Sequence, residues 1–147
     1  MNAPPEILMV EDSATDAELA LRAFRRAKIG NPLRLVSSGE EAWSYLVGKG
    51  AFAKLGATTP LLILLDLQLP GMSGIDLLRQ IKMDERTWNI PVVSLSITKK
   101  AHEIVKCIQL GVVDHIIKPV DYPALVRVTK RLKLKLAKMP PDAGSVS

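Results

Sequence analysis

The stretch LLILLDLQLPGMSG, Leu61 to Gly74, decides the fold. Its five leading apolar residues read as a strand buried on both faces, the pattern of a parallel sheet covered by helices on either side. The run then ends on a carboxylate, Asp66. A buried, ionised carboxylate is strongly unfavourable unless it is paired, hydrogen-bonded or bound to a cation. Asp66 therefore demands partners from elsewhere in the chain.

Working outward, short β-type runs alternate with helical patterns. Strands are expected at Ile7–Val10, Leu33–Val36, Leu61–Leu65, Pro91–Leu95 and His115–Ile117. Ala17, Ala20, Leu21, Phe24 and Ala27 recur at helical spacing after the first strand, and Gly30-Asn31-Pro32 stops that helix. Ser38 with Glu41 is a capping-box signature for the second helix. Ile75, Leu78 and Ile81 mark the third, and a fourth runs from about Lys100 to Leu110, ending at Gly111. The fifth starts near Asp121-Tyr122-Pro123, and its stripe of Leu125, Val128, Thr129, Leu132, Leu136 and Met139 predicts a helix reaching Met139. Val47 to Pro60 is long for a connection and predicts an extra helical turn near Phe52 and Leu55. Strands each followed by a helix imply right-handed parallel crossovers, hence a doubly wound α/β domain.

The 147 residues fit one domain over 1–139, with the tail at 140–147 expected to be disordered. The longest apolar run is too short to cross a membrane, and the N-terminus lacks the marks of a signal peptide. Cys107 is the only cysteine, which excludes an internal disulfide and fits a reducing cytoplasm. The net charge of +5 is uneven, because Lys118 to Met139 alone carries +6. The basicity belongs to the C-terminal segment rather than to the whole domain.

In an open α/β sheet, ligands bind beyond the carboxyl ends of the strands. Those ends carry Glu11 and Asp12 after the first strand, Asp66 after the third, Ser96 after the fourth, and Lys118-Pro119 after the fifth. Converging carboxylates need a proton or a cation between them. Oxygen ligands without His or Cys suit Mg²⁺. A metal and a lysine beside a carboxylate suit phosphoryl transfer, and the carboxylate can itself be the nucleophile.

These residues resemble those of a response-regulator receiver domain over about Glu6 to Met139. The matching motifs are Glu11-Asp12, LLDLQLPGMSG around Asp66, PVVSLS ending at Ser96, and IIKPVD with Lys118-Pro119. VEDSATDAELALRAF, YLVGKGAFA and MDERTWNIPVV are similar to single-domain regulators associated with bacterial phytochromes. The resemblance implies a flavodoxin-like (βα)5 fold with strand order 2-1-3-4-5. It implies that Asp66 accepts a phosphoryl group from a histidine kinase or phosphotransfer protein. Asp12 would hold Mg²⁺ directly and Glu11 through water, with Asp66 and the carbonyl of Gln68 completing the site. Ser96 would hydrogen-bond the phosphoryl group, Lys118 would pair with it, and the peptide before Pro119 would be cis. His115 stands where the family usually has Tyr or Phe, a position that swings inward when the hydroxyl residue engages phosphate. Such a domain catalyses only its own phosphorylation and dephosphorylation, and with no room for an output domain it signals through protein contacts.

Ile97 is a departure, since the family usually has a small residue there. Its bulk is expected to shield an acyl phosphate from water or to hinder phosphorylation. The long stripe of the last helix implies a homodimer through the face of the fourth and fifth helices. Two other readings stay open. One is a degenerate, phosphorylation-independent receiver acting as an adaptor. The other is a nucleic-acid-associated protein using the basic last helix, against which stand the missing DNA-binding module and the lack of aromatics after Tyr122.

Overall fold

The computed structural model describes residues 3–139. Five strands, β1 (Ile7–Val10), β2 (Leu33–Val36), β3 (Leu62–Asp66), β4 (Val92–Ser96) and β5 (Asp114–Ile117), form one parallel sheet in the order β2-β1-β3-β4-β5. They alternate with α1 (Ala14–Arg26), α2 (Gly39–Val47), α3 (Gly74–Met83), α4 (Ala101–Gln109) and α5 (Tyr122–Leu132). A 3₁₀ turn at Gly50–Leu55 fills the long connection after α2, as its length required.

Strand alternation divides the core into two layers. Ile7, Met9, Leu62, Leu64, Val93, Leu95 and Ile116 face α1 and α5. Leu8, Val10, Ile63, Leu65 and Val92 face the other way, against α2, α3 and α4. β1, β3 and β4 are buried at every position, which is why they read as continuous apolar runs.

The helix starts are fixed locally. Ser13, Ser38, Ser73 and Asp121 each accept a hydrogen bond from the backbone N–H three residues on. In the capping box of α2 the carboxylate of Glu41 reaches back to the N–H of Ser37, one residue before the cap.

The last helix departs from the sequence expectation. α5 ends at Leu132, and Lys133 takes the left-handed conformation with φ 52°. Residues 134–139 then form a strap across the end of α1, with Gly30 N–H on the Ala137 carbonyl and Met139 N–H on the Lys28 carbonyl. Leu134 and Leu136 pack on the α1–α5 core layer, and Lys138 bridges Ile29 in antiparallel fashion. Leu136 and Met139 are therefore not an unpartnered extension of a helical stripe, and the argument for a dimer built on that stripe falls. The expected disordered tail, 140–147, lies outside the described residues.

Asn31 holds the strap. Its buried amide donates to the carbonyl of Pro5 at 2.9 Å and accepts from the N–H of Ala137 at 2.7 Å, tying both ends of the chain to one side chain. Asn31→Ala is expected to cost about 2–3 kcal/mol by leaving two backbone groups without partners, read as a lower urea midpoint. Lys133→Gly is expected to stabilise by about 0.5–1 kcal/mol, since glycine adopts this φ without a Cβ penalty; a rise in Tm checks it.

Candidate functional site

The three central strands end together, and their terminal residues meet at one pole of the sheet. Strand pairing carries β3 as far as Asp66, opposite Leu95, and β4 as far as Ser96, opposite Ile117. Asp66 is 1% exposed and Glu11 2% exposed, whereas Asp12 points to solvent. Carboxylate oxygens of Glu11, Asp12 and Asp66 lie within 4.8 Å of one another.

Lys118 compensates this charge. Its ammonium lies 3.0 Å from Asp66 Oδ2, 2.7 Å from Glu11 Oε1 and 3.1 Å from Asp16 Oδ2. The approach to Glu11 is the shortest of the three. Asp16, in the first turn of α1, is a participant that the sequence reading missed. Its only signal was its place in a helix opening beside the carboxyl end of β1. The Lys118–Pro119 peptide is cis.

Burial raises the Glu11 carboxyl to about pKa 7, and its proximity to Asp66 pushes the same way; Lys118 and the Ser13 N–H only partly offset them. Burial would lower the Lys118 ammonium, but Glu11, Asp66 and Asp16 together hold it above its ordinary value. A lysine in this pocket stays charged, and the site as a whole is short of positive charge.

Metal binding fits that deficit. The donors are all hard oxygens, and among the described residues no His or Cys joins them. Asp66 Oδ1 accepts from the N–H of Gln68 at 3.0 Å, which fixes one carboxylate oxygen while Lys118 takes the other. The loop is closely packed here. A Cβ on Gly74 would collide with the Asp66 carbonyl and the Leu67 Cα. Gly74→Ala is therefore expected to shift the loop and cost about 1–3 kcal/mol, as overpacking does, with loss of Mg²⁺ affinity measurable by calorimetry.

Ser96 is 1% exposed, and its hydroxyl donates to the Thr98 carbonyl at 3.0 Å. His115 lies beside it, with Nε2 3.0 Å from Ser96 Oγ. Ile97 is 68% exposed. Among the described residues no helix is long and apolar enough to cross a membrane.

The chain is similar to known proteins. The chain is 32% identical over 111 residues to response regulator Rcp1 of Synechocystis, covering 76% of this chain and 74% of that one. It is 34% identical over 128 residues to a probable methanogenesis regulatory protein, FilR2, of Methanothrix harundinacea, covering 86% and 80%. The bacteriophytochrome response regulator RtBRR superposes with a TM-score of 0.85 at 34% identity, over 97% of this chain and 87% of that one. AtBRR, another bacteriophytochrome response regulator, gives 0.84 at 30% identity, over 94% and 99%. A family model, the response regulator receiver domain, matches residues 7–130. With that match over most of its length, this chain belongs to the response regulator receiver domain family.

Proposed function

We propose that this protein is a phosphoacceptor switch in a two-component pathway, with Asp66 as the acceptor. The observation that carries the reading is the position of Lys118, whose ammonium sits within 3.1 Å of Asp66, Glu11 and Asp16 at the open end of the sheet. An Asp66 oxygen bonds to phosphorus as the donor's P–N bond breaks, and the electron pair leaves with nitrogen. Lys118 then faces a phosphoryl oxygen, and Ser96 turns its hydroxyl toward another. Asp12 and Asp66 would hold Mg²⁺, with Glu11 through water and the Gln68 carbonyl as a further ligand. Bound Mg²⁺ supplies neutralisation of the phosphoryl charge.

The donor is a histidine kinase or phosphotransfer protein in the cytoplasm. Likeness to the bacteriophytochrome response regulators RtBRR and AtBRR supports a bacterial phytochrome as that kinase. Output is by protein contact. Val105 and Ile108 on α4 and Val113 before β5 are exposed apolar residues, and we place a homodimer contact there. Ile108→Lys is expected to yield monomer in sedimentation velocity of the phosphorylated protein.

The test of the switch uses phosphoramidate, a small donor with the same P–N bond. Mg²⁺-dependent labelling that hydroxylamine removes is expected, because hydroxylamine cleaves acyl phosphates and spares phosphoesters. Label that resists hydroxylamine, or that forms equally without metal, contradicts the reading.

A further inference from the structure

Ser94 has no place in the chemistry described so far, yet it is fully buried in the middle of β4. The sheet register sets it directly opposite His115, and Ser96 is two residues on, hence on the same face. Its hydroxyl lies 2.6 Å from His115 Nδ1, while the other ring nitrogen, Nε2, lies 3.0 Å from Ser96 Oγ. The imidazole is therefore held at both ends between two serines of one strand.

The direction of each bond follows from counting protons. The Thr98 carbonyl only accepts, so the single hydroxyl proton of Ser96 is used on it. The contact between His115 and Ser96 then needs a proton from Nε2. A neutral imidazole carries one N–H, which leaves Nδ1 as an acceptor for the Ser94 hydroxyl. Burial holds the His115 pKa below its usual value, favouring that neutral form. The charged groups around it are Asp114 on its own strand, Arg127 on α5 and Glu103 on α4, with Arg127 opposing protonation and the two acids favouring it. The Cys107 thiol lies beside the Ser94 hydroxyl.

We propose that Ser94 is a positioning residue: by donating to His115 Nδ1 it fixes the Nε2–H tautomer, and so makes Ser96 a one-way donor toward the phosphoryl group. This deepens the reading of Asp66 as phosphoacceptor and rests on it. Engagement of phosphate requires Ser96 to exchange the Thr98 carbonyl for a phosphoryl oxygen. It does so while keeping the His115 N–H on its oxygen, and a hydroxyl whose oxygen accepts a hydrogen bond is a stronger donor. Without Ser94 the ring is free to take the Nδ1–H tautomer. Nε2 then offers Ser96 a lone pair, and the residue that assisted Ser96 competes with the phosphoryl group for its proton.

The experiment has two arms. Nitrogen-15 NMR of the unphosphorylated protein at pH 7.5 reads the tautomer without any phosphorylation. The wild type is expected to show Nε2 protonated and Nδ1 bare, and Ser94→Ala a mixture; a wild type with Nδ1 protonated overturns the proposal. The second arm measures the initial rate of Mg²⁺-dependent phosphorylation by a small acyl-phosphate donor. Ser94→Ala is expected to slow it roughly five- to tenfold, the scale of one hydrogen bond redirected, and Ser94→Thr to restore it. In a His115→Phe background the Ser94→Ala change is expected to have no further effect; an undiminished effect there overturns the proposal, because Ser94 would not be acting through His115. A wild type that takes no phosphoryl group fails the Asp66 reading and, with it, the role assigned to Ser94 in phosphorylation, whereas the NMR arm still decides the tautomer.

Discussion

Lys118→Met is expected to destabilise the protein by about 3–5 kcal/mol at neutral pH, the usual cost of removing one partner from a buried ion pair. Methionine keeps the length and most of the volume of the lysine stem, so the loss is one of charge. What remains is Glu11 and Asp66, both almost fully buried, with Asp16 beside them and Asp12 at the rim. These carboxylates would face one another with no internal cation. The urea midpoint should fall with little change in slope. Millimolar Mg²⁺ should recover part of the loss, and should stabilise the variant more than the wild type, because the metal replaces the missing positive charge. A variant within about 1 kcal/mol of wild type would show that the pocket does not depend on Lys118 for its charge balance.

Asp66→Asn is expected to behave in the opposite sense. Asparagine occupies the same space, and its side-chain oxygen is able to accept from the Gln68 N–H, as Asp66 Oδ1 does. One of several crowded negative charges is removed, while Lys118 keeps Glu11 and Asp16. Stability should therefore stay within about 1 kcal/mol of wild type, the range of a change that breaks one pair and relieves one repulsion. Phosphorylation should fall by at least roughly 100-fold, since the nucleophile itself is gone rather than a group that assists it. The two substitutions separate the roles in the pocket. On the proposed reading, Lys118 would serve folding and phosphoryl charge, whereas Asp66 would serve the chemistry.

Much of this was legible in the sequence because the central strands are buried on both faces. ILMV and LLILL carry no alternation that might be mistaken for a surface strand, and the observed β1 matches its expected bounds. The ends of β3 and β4 extend one residue beyond expectation. Polarity suggested that the strands stop before Asp66 and Ser96, but ladder pairing to Leu95 and Ile117 carries them on. That extra residue is what fixes both side chains in the pocket.

The last helix misled because its apolar spacing is ambiguous. Leu132, Leu136 and Met139 suit a helical face, whereas Leu132, Leu134 and Leu136 suit a strand-like period of two. The break at Lys133 and the strap that follows depend on Asn31, which is 106 residues from its partner Ala137. No local signal reports such a contact. Asp16 and Ser94 were missed for the same reason. Asp16 reads as an ordinary first-turn acid and Ser94 as a small residue in a buried strand, until Lys118 and His115 arrive from the far end of the chain.

The measurement that tests the central claim most directly is intact-protein mass after incubation with Mg²⁺ and a small acyl-phosphate donor, with Asp66→Asn alongside. The expected result is a gain of one phosphoryl mass in the wild type, absent from Asp66→Asn and absent without the metal. The same gain in both proteins would place the phosphoryl group elsewhere and contradict the assignment of Asp66. No gain in a folded wild type would contradict the switch itself and favour a receiver that acts without phosphate.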